Sequence, residues 1–188
     1  MTEQNMQDTI LIPTPPKAWK NLFSWLEANV DDGERISLAC FWLDDNNTYW
    51  ATNGYALVRA EIEDTSFSLV PPGYWFINQC TAKLIHFIKA DIHNYPGVHY
   101  IWDQSFDVDQ TSAIAFNPTI LTKITKPFDR VTMHAKGYAP MHLLLGDPKS
   151  MPDGKYEAIL MPMNVSDIQS KFKNSSFKIR QPLEKEEA

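Results

Sequence analysis

The sequence is short of several things that would narrow its function. It holds two cysteines, Cys40 and Cys80, in 188 residues. That is too few for a disulfide scaffold, and the expectation is that both are reduced and buried. No window approaches the roughly 18 unbroken apolar residues of a membrane helix. The opening MTEQNMQDTI lacks the basic-then-apolar order of a secretory signal. These absences predict a cytoplasmic protein with no membrane attachment. Positive charge is not in excess either: 17 basic residues face 23 acidic ones, a net charge of −6. This argues against a protein that coats nucleic acid with its whole surface, while leaving room for one basic face on an acidic body.

Motifs of catalysis are also missing. There is no Gly-rich phosphate loop, no G-x-S-x-G and no H-E-x-x-H. Cys80, His86, His93 and His99 follow one another at gaps of six, seven and six residues. Those gaps fit neither C-x-x-C nor an i, i+4 histidine pair; His86 and His93 would share a solvated helix face. Asp31-Asp32 and Asp44-Asp45 fall in expected turns and read as solvated loops. Asp103, Asp107 and Asp109 alternate irregularly near a loop, with a divalent cation there as the weaker reading. The expectation is a protein that is not an enzyme and has no metal and no cofactor.

What is present is apolar mass. The chain is 44% hydrophobic, with six tryptophans and ten phenylalanines, more than a disordered chain carries. Its length suits one domain, or one domain with an appendage. Residues 1–15 are polar and end in PTPP, which predicts a flexible lead. In PKAWKNLFSWLEANV, residues 16–30, Trp19, Leu22, Phe23, Leu26 and Val30 recur at helical spacing, with Pro16 in the first turn and Lys17, Lys20, Ser24 and Glu27 on the other side. Strands follow at RISLACFWL, TYWAT and YALVRAEI, joined by DDNN and by the turn signal Asn53-Gly54. YWFIN predicts a strand and QCTAKLIHFIKADI a second helix, with Leu84, Ile85, Ile88 and Ile92 on one face and Lys83, His86 and Lys89 largely outside it. SAIAFN predicts a short strand leading into PTILTKITK, a third helix with Asn117 as N-cap, Pro118 in the first turn and Phe116 and Leu121 at the positions of a hydrophobic staple. Asn78 and Asn117 thus suggest a strand–Asn–helix repeat, although asparagine caps helices often enough to explain both. RVTMHAK, MHLLLG and YEAILMPM are three more strands, the last ending at Pro162, which cannot sit inside a ladder. A helix alternating with several strands indicates an α+β architecture, helices on one side of antiparallel sheets. The domain is expected at 16–165, with a polar tail at 166–188 that is partly disordered.

Three stretches carry a resemblance to the bacterial sliding clamps, the β subunits of DNA polymerase III. YWATNGYALVRAEI resembles the family's V-A-T-D-G-H-R-L-A turn; AFNPTILTKI resembles G-F-N-x-x-Y-L-L-D-x-L; and YEAILMPMNV resembles the C-terminal Y-V-V-M-P-M-R. The resemblance implies a clamp-like fold, of one domain or one and a half. It implies that the turn and the Met-Pro-Met strand end meet in a hydrophobic pocket for short linear peptides of replication proteins. Carried over position by position, that pocket uses Thr52, Gly54, Tyr55, Leu57, Ile159, Leu160, Met161, Pro162 and Met163. Methionine suits such a pocket because it is unbranched and polarizable and can repack around different side chains. Asn53 stands for the family's Asp, Tyr55 for its His and Ala56 for its Arg, so a charged rim is lost and peptide preference shifts. The 25 residues after Met163 exceed the family's usual ending and would cross or extend the pocket.

Clamp rings also line their hole with basic helices. Lys17, Lys20, Lys83, Lys89, Lys123, Lys126 and Arg130 are the corresponding expectation here, for non-specific contact with double-stranded DNA. A ring needs six domains, so several copies of this chain would have to assemble. The resemblance therefore implies a non-enzymatic replication or processivity factor. The alternative is a monomeric, clamp-like peptide-binding or regulatory module of phage or mobile-element origin that does not encircle DNA.

Overall fold

The computed structural model describes residues 8–32, 35–63, 70–92, 95–98, 116–134 and 140–161. Nine strands form one antiparallel sheet: β1 (Thr9–Pro13), β2 (Phe41–Leu43), β3 (Thr48–Thr52), β4 (Ala56–Ile62), β5 (Gly73–Cys80), β6 (Leu84–Lys89), β7 (Phe128–His134), β8 (Met141–Pro148) and β9 (Gly154–Leu160). Their order in space is β1-β6-β5-β2-β3-β4-β9-β8-β7. Two α-helices, α1 (Lys17–Ala28) and α2 (Pro118–Thr125), and a 3-10 turn at Ile36–Leu38 complete the described elements.

The apolar stripe expected on α1 is there: Trp19, Leu22, Phe23 and Leu26 are buried, joined by Trp25. Pro16 is the N-cap of α1 and lies just outside its first turn, in extended conformation. The stripe packs on one face of the sheet, where Phe23 meets Phe87 at 4.7 Å between ring centroids and Phe41 at 5.8 Å. α2 begins as its sequence predicts. Asn117 accepts from the backbone N–H groups of Thr119 and Ile120, and Pro118 occupies the first turn. Phe116 and Leu121, the expected staple residues, are both half-buried against the same core.

Sequence periodicity misleads at LIHFIK. The segment is strand β6, paired with β5 on one side and β1 on the other. Leu84, Ile85 and Ile88 satisfy a helical stripe, but the segment also fits alternation, with Ile85 and Phe87 fully buried and Leu84, His86 and Ile88 half-buried. Pairing on both edges decides between the two periods. The preceding turn is closed by Thr81, whose Oγ1 accepts from the backbone N–H of Leu84 (3.1 Å). Asn78 consequently caps no helix. It lies within β5, where its Nδ2 meets His86 Nδ1 at 2.9 Å. The strand–Asn–helix repeat is therefore not the internal symmetry of this chain.

A different repeat is. α1-β2-β3-β4 and α2-β7-β8-β9 are each a helix followed by three antiparallel strands, and they meet where β4 pairs with β9 along seven residues. Two smaller expectations also change. Thr9–Pro13, placed in a flexible lead, forms β1 because β6 offers it a partner edge. Ile36–Leu38, placed in a strand, forms a 3-10 turn. The strand expected at 112–117 and the tail at 166–188 lie outside the described residues, apart from Phe116 and Asn117.

The middle of the sheet is buried on both faces. Tyr49, Ala51, Val58, Ala60, Ala158 and Leu160 face α1 within the main core. Trp50, Leu57 and Ile159 alternate to the other face, where Val98, Trp42 and Tyr95 pack on them. Double burial explains why β3 is buried along its whole length, whereas β4 alternates in its second half, with half-buried Arg59 and Glu61 between buried Val58, Ala60 and Ile62.

Candidate functional site

The β3–β4 turn is held by a dense set of hydrogen bonds. Asn53 N donates to Ala56 O, which makes Gly54 and Tyr55 the two central residues of the turn. The turn signal is thus shifted by one residue from the Asn53-Gly54 pair that the sequence suggests. Gly54 has φ +82, a conformation that glycine adopts without the penalty of a Cβ. Asn53 Oδ1 accepts from Tyr55 N (3.0 Å) and Ala56 N (2.9 Å). Thr52 Oγ1 donates to Ala56 O (2.7 Å) and accepts from Gly54 N (3.1 Å).

This turn and the end of β9 are neighbours. Ala56 pairs with Leu160 and Leu57 with Ile159. One residue further on, Met161 N donates to Tyr55 O at 2.9 Å. Thr52, Gly54, Tyr55, Leu57, Ile159, Leu160 and Met161 are therefore gathered at one corner of the molecule. They do not share one surface. Leu160 is buried in the helix-side core, whereas Leu57 and Ile159 belong to the cluster on the opposite face. Tyr55 is 61% exposed and Met161 44% exposed. Pro162 and Met163 lie outside the described residues.

The apolar layer behind this corner is largely aromatic. Trp42 and Trp50 stack at 6.2 Å between centroids, and Tyr74 meets Tyr95 at 5.1 Å. Beside it, Arg59 lies over the Trp50 ring at 5.3 Å and bonds both Glu157 and Glu61 at 3.0 Å. The contact with His142 and the charge of Arg59 hold the Glu157 carboxyl below its ordinary range, against the opposing effect of burial.

Sequence reasoning missed Arg35 and misread Asp31. Asp31 is buried, not solvated, and its carboxylate accepts from the Arg35 backbone N–H (3.1 Å) and from Nε (2.9 Å). Arg35 Nη2 donates to Asn53 O, and the guanidinium lies 5.6 Å from the centre of the Tyr55 ring. A groove of about 480 Å³ opens beside them, with Asp32 and Lys123 on its walls. An arginine is thus present at the turn although Ala56 occupies the position where the clamp family carries one. It arrives from a different element, which no local motif could reveal. Asp44 is likewise no mere solvated loop residue: its carboxylate accepts from Asn46 N and Thr48 N (both 2.9 Å) and from Trp50 Nε1 (3.2 Å).

The seven basic residues expected on DNA-facing helices separate into two groups. Lys17 and Lys20 are on α1, Lys123 is on α2, and Lys126 is its C-cap. Lys83 and Lys89 are not on a helix, because β6 replaces the expected second one, and Arg130 lies beyond α2, where the sequence places it. Lys83 stands in the β5–β6 turn, and Lys89 ends β6 and pairs with Asp8 (3.0 Å). Arg130 is on β7 and pairs with Asp147 (2.6 Å). Of the histidine and cysteine set, Cys80 is half-buried beside Ser24 (3.3 Å) and His86 meets Asn78; His93 and His99 lie outside the described residues. Burial pushes the Cys40 thiol up to about 12. Asp103, Asp107 and Asp109 are also outside the described residues.

No known protein-family profile matches the chain, and no curated protein matches it in sequence. Solved structures do match in shape. The β clamp of Helicobacter pylori in complex with diflunisal superposes with a TM-score of 0.57 at 9% identity, covering 87% of this chain and 68% of that one. The Pseudomonas aeruginosa sliding clamp bound to griselimycin gives 0.51 at 11% identity, again over 87% and 68%. A putative DNA polymerase III β subunit from Eubacterium rectale gives 0.50 at 10%, over 85% and 66%. Identities this low speak for fold alone: the chain has the fold of the bacterial sliding clamps, the β subunits of DNA polymerase III.

Proposed function

We propose that this chain is a non-enzymatic, clamp-like replication factor that receives short apolar peptides at the corner formed by Tyr55 and Met161. The observation that carries this reading is the Met161 N to Tyr55 O hydrogen bond, which sets two exposed large apolar side chains side by side. Buried Leu57 and Ile159 are their neighbours along β4 and β9. A flexible thioether and a broad aromatic ring offer apolar area that adapts to its occupant. Pro162 and Met163, next in the chain, belong to the same proposal.

A fluorescent peptide with glutamine followed by leucines and phenylalanine is expected to bind the full chain in polarization titrations. Met161→Asp puts a carboxylate into the contact and should weaken binding by about thirtyfold or more, the scale of an interface hot spot. The far-ultraviolet circular dichroism should be unchanged, since Met161 is exposed. A peptide that stays unbound at high micromolar concentration, with and without the residues after Val165, would defeat the reading.

A second element of the proposal is contact between the helical layer and duplex DNA. α1 and α2 with its C-cap carry Lys17, Lys20, Lys123 and Lys126 against the single Glu27, a basic layer on an acidic chain. Such diffuse charge gives weak, sequence-independent binding that falls steeply with salt. Reversing Lys17, Lys20 and Lys126 to glutamate should abolish retention of duplex DNA at low salt. Unchanged retention would remove DNA from the proposal. Light scattering behind a sizing column separates a closed ring from the alternative of a monomeric peptide-binding module, whose mass would be that of one 21.6 kDa chain.

A further inference from the structure

We propose that Arg35 is a positioning residue of the peptide corner, acting through Tyr55; the inference rests on the peptide reading above. Four observations converge on it. The carboxylate of buried Asp31 receives the Arg35 backbone N–H and Nε, and Arg35 Nη2 lies 2.8 Å from the same carboxylate. This fixes the side chain at both ends of its length. From that anchor Nη2 reaches the Asn53 carbonyl, on the residue that opens the turn. The guanidinium lies 5.6 Å from the centre of the Tyr55 ring, within the range of a cation–π contact. Finally, Gly54 leaves the space in which Nη1 sits, since a Cβ there would overlap it.

The turn thereby gains a link that the hairpin alone does not provide. Its own hydrogen bonds set the backbone of residues 52–56, but Tyr55 is largely exposed and its ring would sample several rotamers. Holding that ring before a peptide arrives removes part of the ordering cost of binding. The reference point is the segment just after α1, so the peptide corner is tied to the helical layer through one ion pair. Because Asp31 is buried and Arg35 half-exposed, this pair is screened less than a surface pair.

A double-mutant cycle on the full chain tests the proposal, with the glutamine-leucine-phenylalanine peptide as probe. Arg35→Met keeps the apolar stem and drops the charge; it is expected to weaken the peptide about fivefold in the wild-type background. In a Tyr55→Leu background the same change should have no further effect, because the ring through which Arg35 acts is gone. Arg35→Lys should recover part of the loss, restoring the charge without the two-sided reach to Asp31 and Asn53. A purely structural role would lower the melting temperature while leaving peptide affinity unmoved, and that result would overturn the proposal. Equal weakening in both backgrounds would overturn it too, since Arg35 would then act independently of Tyr55. If neither wild type nor any variant binds the peptide, the peptide reading itself fails, which is a distinct result.

Discussion

Trp25→Ala is expected to destabilise the fold by about 3–5 kcal/mol, the cost of emptying a buried aromatic site. Trp25 is 2% exposed and stands where four elements meet. Its ring is edge-on to Phe128 of β7 at 5.5 Å and to Tyr156 of β9 at 5.8 Å. Its Nε1 donates to the carbonyl of Ile124 at 2.9 Å. That carbonyl is in the last turn of α2, where intrahelical partners run out, so the indole also serves as a cap for the second helix. The alanine variant loses the packing and leaves the carbonyl unmet. Trp25→Phe keeps most of the packing and should cost less, about 1–3 kcal/mol for the orphaned acceptor. Urea titrations followed by circular dichroism give both numbers. A loss under 1 kcal/mol for Trp25→Ala would mean that α1 and α2 are not joined through this side chain.

Gly154→Ala is the second expectation, with a destabilisation of about 1–3 kcal/mol from overpacking. Gly154 opens β9 opposite Ile62 of β4. A Cβ there would overlap the Glu61 carbonyl oxygen and sit 3.2 Å from Ile62 Cα. Both are backbone atoms, so no side chain can rotate away and the two strands must part. The site lies on the seam between the two helix-plus-three-strand halves, which spreads the damage beyond one strand. Gly146→Ala on β8 is the control: its nearest neighbour would be Arg130 Nε at 3.6 Å, an ordinary contact with a flexible side chain. Comparing the two melting temperatures checks the argument, and equal shifts would refute it.

Much of the architecture was legible because local physics and tertiary packing agreed. The helical stripe of α1 and the cap of α2 at Asn117 are determined by residues within a few positions of one another. The β3–β4 hairpin follows from its glycine turn between β-branched and aromatic runs, even though the turn centre is one residue later. Where local signals were ambiguous, the reading failed. LIHFIK fits both periods, and only the presence of β5 and β1 on its two edges makes it a strand. With that helix gone, Lys83 and Lys89 leave the helical layer.

The candidate site divides along the same line. Sequence alone brought residues 52–57 and 159–161 together, through motifs that resemble those of clamps. Alternation along Lys155, Tyr156, Glu157 and Ala158 puts Leu160 on the inward side of β9, but sequence alone could not say that Ile159, on the other side, is buried as well. Nor could it show Arg35. Asp31 and Arg35 come from one segment and Asn53 and Tyr55 from another, and neither charge pattern nor propensity links the two before the sheet has formed. Composition and local periodicity determined an α+β protein and most of its elements. The pairing of strands far apart in the chain decided which apolar residues stay exposed at the corner and which cation holds the turn, since those outcomes depend on contacts that exist only in the folded molecule.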